Sequence, residues 1–208
     1  MSDPGSSGPR HLFTVDVEEY FQVTVFEHLV APEEWDELPS RVARGVGELL
    51  ELLGRYDTYA TFFTLGWVAD RHPRVVRAIA DAGHEIASHG WWHRRIPTLT
   101  REHLRSELRD SKAILEDVCG KPIRGFRAPS FSLVPGSEWV FDLLLEEGYR
   151  YDSSVFPIRR RGYGYPGADP TPHSVERPGG TLLELPLATG RMAGVRLPAA
   201  GGGYLRTL

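Results

Sequence analysis

Residues 84–93 read HEIASHGWWH, a short apolar run followed at once by a pair of histidines. Glu85, Ile86 and Ala87 predict a buried strand that breaks at Ser88 into a loop carrying His89 and His93. Two imidazoles four residues apart lie on one face of a helical turn, close enough to hold a single metal ion. Such spacing is weak by itself in a chain with 8 His. Its place directly after a strand end, with two Trp inside it, makes it stronger, and acidic groups elsewhere must complete a site.

Working outward, the segments alternate. Upstream, TYATFFTLG (58–66) is β-branched and aromatic and predicts a fully buried strand, and PRVVRAIADAG (73–83) predicts a helix opened by Pro73 and closed by Gly83. An earlier helix is expected after Ser40 as its N-cap, running to Gly54 with Val42, Val46, Leu49, Leu50 and Leu53 on one face. HLFTVDV (11–17) predicts the first strand, and its end carries Asp16, Glu18 and Glu19. FQVTVF and the acidic stretch from Ala31 to Glu37 form a connection.

Downstream, Thr100 caps a long amphipathic helix with Leu104, Leu108, Leu115 and Val118 on its apolar face and Gly120 as its stop. IRGF (123–126) is a short strand leading into RAPSFS, residues 137–148 predict a helix, and YRYDSS (149–154) predicts another strand. Residues 157–180 are expected to be a long loop and TLLELPL (181–187) the last clear strand, its apolar surface left uncovered. The closing AAGGGYLRTL reads as unfinished. This alternation predicts an α/β architecture with parallel strands. The Gly/Ser/Pro-rich residues 1–10 are expected to be a disordered tail, and residues 11–208 one catalytic domain lacking its C-terminal part.

Composition narrows the function. A net charge of −4 and no long Lys/Arg block argue against a nucleic-acid partner. No apolar run approaches the ~20 residues needed to span a bilayer, and no signal peptide is recognisable, so a cytoplasmic location is expected. The single cysteine, Cys119, cannot form an internal disulfide and is expected to be a small buried residue.

In parallel α/β folds reactive groups collect on the loops leaving the carboxyl ends of the strands. That rule gathers DVEEY, SHGWWH, RAPSFS and YDSS, the composition of a site where a metal and a general base activate water. Each group also has a structural alternative. The histidines could be satisfied core residues, the carboxylates a solvated strand end, Arg127 an ordinary ion pair and Asp152 a turn residue.

TVDVEE, ATFFTLG, HEIASHGWWH and RAPSFS resemble, in order and rough spacing, the motifs of the polysaccharide deacetylase family with the NodB homology domain (carbohydrate esterase family 4). DVEEYFQV, APSFS, YDSSVFP and GGGYLR resemble its subgroup of exopolysaccharide deacetylases associated with exosortase and PEP-CTERM loci in Gram-negative bacteria. The resemblance implies a distorted, incompletely closed (β/α) barrel and hydrolysis of an N-acetyl group on a glycan. It implies a divalent metal, usually zinc, held by His89, His93 and one carboxylate, with Asp16 as general base and Arg127 orienting it. The Ser130 N–H would serve as an oxyanion donor. Apart from the resemblance, Trp91 or Trp92 could offer an aromatic wall for a sugar ring, with packing as the alternative for at least one of them; Trp92 and Asp152 are the expected substrate-binding residues. The family motif has adjacent aspartates, whereas Val17 follows Asp16, so Glu18 is assigned as third ligand with Glu19 as its competitor. A late histidine that protonates the leaving amine in the family has no counterpart after His173. A metal-independent hydrolase of a small cyclic amide, or a glycan-binding relative with weak catalysis, are the alternatives.

Overall fold

A computed structural model describes residues 12–160, 162–192 and 194–201. The N-terminal tail and the YLRTL of the closing stretch lie outside these residues. The central sheet contains β1 (Thr14–Val17), β2 (Thr61–Thr64), β3 (Glu85–Ser88), β4 (Gly125–Phe126), β5 (Tyr151–Asp152), β6 (His173–Arg177) and β7 (Gly180–Glu184). Its order is β1-β2-β3-β4-β5-β7-β6. All neighbours run parallel except β6, which returns antiparallel along β7. Among the described residues the sheet does not close on itself, because β1 and β6 each have one partner. The fold is therefore α/β with a mostly parallel, open barrel-type winding.

The crossovers are α1 (Val42–Arg55), α2 (Gly66–Arg71), α3 (Pro73–Asp81), α4 (Arg101–Cys119) and α5 (Trp139–Glu146). α4 begins where the Thr100 hydroxyl accepts the His103 N–H at 3.2 Å and ends at Gly120, left-handed at φ 68°. Its Leu104, Leu108 and Leu115 are almost wholly buried in a core shared with Phe62, Val76, Ile79 and Phe126. Each such side chain contributes about 1.5–3 kcal/mol by leaving water.

Several expectations need correction. Ser40 is not the N-cap of α1: Arg41 holds that place and has no side-chain capping bond. The N-terminal amides are instead taken by Glu19, for a reason given below. α2 was not foreseen, because GWVADR is too short to show a helical period. Residues 157–180 are not all loop, since His173–Arg177 form β6 and pair along its length with β7. A further hairpin, β8 (Thr189–Met192) and β9 (Val195–Pro198), follows β7. TLLELPL is mostly covered: Leu182 and Leu187 are buried and Leu183 is exposed. Cys119 is half-buried rather than buried, with its thiol on the Lys121 carbonyl. Among the described residues no helix is long and apolar enough to cross a membrane.

Candidate active site

The register of the sheet explains why distant motifs meet. Val17, Thr64, Ser88, Phe126, Asp152 and Glu184 are successive partners across β1, β2, β3, β4, β5 and β7. The next residues, among them Glu18, His89, Arg127 and Ser153, therefore leave the sheet side by side at its carboxyl end. The row is set by backbone pairing alone; the chemistry follows from which side chain the sequence puts at each place.

Glu18, His89 and His93 offer one ligand atom each, all within 4.8 Å of one another. The Glu18 Oε2 to His93 Nε2 distance is 2.7 Å. His89 has its Nδ1 on the Arg127 carbonyl at 2.8 Å, where an N–H donates, and this leaves Nε2 for the site. Burial pushes the His89 imidazole below its ordinary value, against the opposing pull of Asp16, and so favours the neutral form a metal needs. Glu18 Oε2 is buried without a hydrogen-bond donor. A stranded acceptor facing two imidazoles is the donor set a divalent cation satisfies, and these residues fit one.

The histidines do not meet on a helical turn, as their spacing suggested. Residues 89–95 form an irregular loop, with Gly90 at φ 79° and His93 itself left-handed at φ 54°. From α4, Glu107 accepts the amides of Trp91 (3.1 Å) and Trp92 (3.4 Å) and pins this loop. Burial raises the Glu107 carboxyl above its ordinary range.

Asp16 pairs with Arg127 at 2.8 Å. The guanidinium also donates from Nε to the Ser153 carbonyl (3.1 Å) and from Nη2 to the Ser153 hydroxyl (2.8 Å). It lies 3.9 Å from the Phe63 ring centre and 5.6 Å from that of Phe131. Burial would raise the Asp16 carboxyl, but the cation of Arg127 and the imidazoles of His89 and His93 outweigh it, and the net direction is downward. Asp16 is thus kept as a carboxylate, aimed by a fixed partner.

The sequence profile of the polysaccharide deacetylase family matches residues 34–139, just over half of the chain. The chain belongs to the polysaccharide deacetylase family. The profile of a domain family of unknown function matches residues 153–208. Among curated relatives, the peptidoglycan deacetylase of Helicobacter pylori is 32% identical over 111 residues, which are 53% of this chain and 37% of that protein. The chitooligosaccharide deacetylase of Azorhizobium caulinodans is 31% identical over 80 residues, 38% of each. The chain thus spans well under two thirds of these relatives' lengths. A crystal structure from Mycobacterium smegmatis described as a polysaccharide deacetylase superposes with TM-score 0.68 at 29% identity, covering 85% of this chain and 58% of that one. An allantoinase superposes with TM-score 0.60 at 20% identity, covering 90% of this chain and 70% of that one, which shows a shared fold.

Within this polysaccharide deacetylase fold the remaining candidates have distinct places. Ser130 and Phe131 are left-handed at φ 54° and 51°, with the Ser130 and Thr24 hydroxyls 2.5 Å apart. Strain of about 1–3 kcal/mol per such residue concentrates at functional sites. Trp92 is half-buried, 5.8 Å from Trp35, and borders a cavity of about 330 Å³ shared with Phe21 and His93. Asp152 is fully buried, its carboxylate held by Ser154, and presents no surface to a substrate. Glu19 is not with the histidines. It is buried and accepts the amides of Arg41 (3.0 Å) and Val42 (3.2 Å) and the Ser40 hydroxyl, capping α1 from a distance. Sequence reading passed over Glu184, although an acid inside the apolar run TLLELPL was a signal that it needed a buried partner.

Proposed function

We propose that this chain is the catalytic unit of a metal-dependent deacetylase that removes N-acetyl groups from a glycan, with residues 11–208 forming one catalytic domain. The carrying observation is the juxtaposition of the Glu18–His89–His93 cluster, with its stranded Glu18 oxygen, and the Asp16–Arg127 pair. Glu18, His89 and His93 would hold the divalent metal, for which zinc suits the two imidazoles and one carboxylate. When bound, the metal lowers the pKa of water and polarises the acetyl carbonyl. Asp16 accepts the proton as water adds to that carbonyl, and Arg127 keeps the carboxylate aimed. The proton gained by Asp16 balances the one the nitrogen must acquire when the C–N bond breaks to give acetate and a free amine. The amide of Ser130 stands for the oxyanion donor and Trp92 for a wall of the sugar groove.

The peptidoglycan and chitooligosaccharide deacetylases among the relatives support an N-acetylated amino sugar as the substrate class. The motifs DVEEYFQV, YDSSVFP and GGGYLR favour an exopolysaccharide of the exosortase type. Metal analysis and acetate release from chitooligosaccharides test the reading. One equivalent of zinc is expected in the wild type and none in His89→Ala. Asp16→Asn should lower turnover by about 10²–10⁴-fold with zinc retained. A protein that stays metal-free in excess zinc, or an Asp16→Asn variant as fast as wild type, would overturn it.

A further inference from the structure

Asp152 ends β5 and Glu184 ends β7, and the two are register partners on adjacent parallel strands, so their side chains rise on one side of the sheet. Both are fully buried. Asp152 accepts from the Ser154 hydroxyl (2.6 Å) and the Ser154 amide (3.1 Å). Glu184 accepts the Val155 amide at 3.1 Å through one oxygen, while its other oxygen, Oε2, is buried without a donor. An ionised carboxylate only accepts, and two like charges in a dry site disfavour each other. One proton between the pair removes both difficulties by turning the stranded oxygen into a donor. Burial, reinforced by the charge of the neighbouring Asp152, pushes the Glu184 carboxyl well above the usual range.

The contacts continue to Arg127. The Ser154 hydroxyl that donates to Asp152 also accepts the Ala128 amide at 2.8 Å. Ser153 holds two guanidinium N–H groups of Arg127, and its hydroxyl donates to the carbonyl of Leu185, next to Glu184, at 2.8 Å. Leu185 returns a bond from its amide to the Asp152 carbonyl at 2.8 Å. The other charged or titratable groups facing Glu184 are Arg127, beyond β4, and His173. His173 stands opposite on β6 with its Nδ1 2.8 Å from the Thr171 carbonyl.

Resting on the deacetylase reading, we propose that Glu184 stays protonated at neutral pH and donates to Asp152, and that this singly charged brace positions Arg127 and, through it, the base Asp16. Glu184 is a positioning residue, since its burial keeps it from any substrate.

Infrared spectra at pH 7 should show the carbonyl stretch of a protonated carboxylic acid that disappears in Glu184→Gln. The Arg127 Nε–H resonance, assigned by its loss in Arg127→Lys, reads the positioning. It should stay protected from solvent exchange in Glu184→Gln, whose amide can still donate. In Glu184→Leu it should exchange about tenfold faster, the worth of one lost hydrogen bond. Asp152→Asn, which keeps the shape and removes the charge, should also speed exchange if Glu184→Leu fails to fold. Absence of the carboxylic acid band, or wild-type protection in whichever of Glu184→Leu and Asp152→Asn folds, overturns the proposal. Both measurements need no substrate. A wild type with both signatures and no acetate release would sink the deacetylase reading and leave the brace standing.

Discussion

At the β1 end of the sheet three carboxylates fall within four residues, and each has a different kind of neighbour. Asp16 faces a guanidinium, Glu18 an imidazole, and Glu19 the first amides of α1. At the β5–β7 end two carboxyls meet chiefly each other, with Ser154 and Val155 filling in. The carboxyl group thus caps a helix at Glu19 and is proposed as base at Asp16, ligand at Glu18 and brace at Glu184, and the partner delivered by the fold separates these roles. Acidity at a strand end is no single signal.

The contrast can be broken most severely at Arg127, which stands between the two ends. Arg127→Leu strands Asp16 and empties the Ser153 bonds. We expect a loss near about 3 kcal/mol, the low end for a broken buried pair, because some of Asp16 remains in contact with water. A fall in the urea midpoint with unchanged slope would show it.

Next in size is the division between Glu18 and Glu19. Glu19→Ala should cost about 1–2 kcal/mol through the uncapped α1 while leaving zinc stoichiometry intact. Glu18→Ala should abolish metal binding yet change the stability of the metal-free protein less than Glu19→Ala does, because it removes both an acceptor without a donor and the 2.7 Å contact with His93, which oppose each other. Calorimetric zinc titration and denaturant melts on both variants check this, and a reversed pattern would erase the distinction.

The last effect is a slope with pH. Below the ordinary glutamate value of 4.5, folded and unfolded chains both hold the Glu184 proton, and the group is neutral to stability. Above it the unfolded chain releases the proton while the folded chain keeps it, so Glu184 lowers stability progressively as pH rises towards the raised folded value. Glu184→Gln lacks this penalty, and its stability relative to wild type should grow between about pH 4.5 and pH 7. Equal pH slopes in the two proteins would mean that Glu184 ionises normally.

Much of this architecture was legible in residue order. The Thr100 cap, the Gly120 stop and the apolar row of α4 are local signals, and they predicted the helix within a residue. TYATFFTLG reads as a buried strand, of which Thr61–Thr64 is one while Gly66 already begins α2, and the gathering of Asp16, His89 and Arg127 at one sheet end was also legible. What was missed depends on long-range partners. Glu19 replaces Ser40 as the cap of α1 from 21 residues away, which no local pattern encodes. His89 and His93 converge through a left-handed backbone at His93, not through helical spacing. Asp152 suggested a groove residue, and only its register with Glu184 shows that it faces another carboxyl.

The guanidinium of Arg127 is buried, close over the Phe63 ring and within reach of Phe131, and that cover bears on ionic strength. At 1 M salt the screening length is about 3 Å, and exposed pairs such as Arg44–Glu48 and Arg71–Asp36 lose most of their attraction. The buried guanidinium is screened less than those exposed pairs. The aim of Asp16 is therefore only partly reached by the surrounding electrolyte, and salt should weaken this pair less than it weakens the exposed ones.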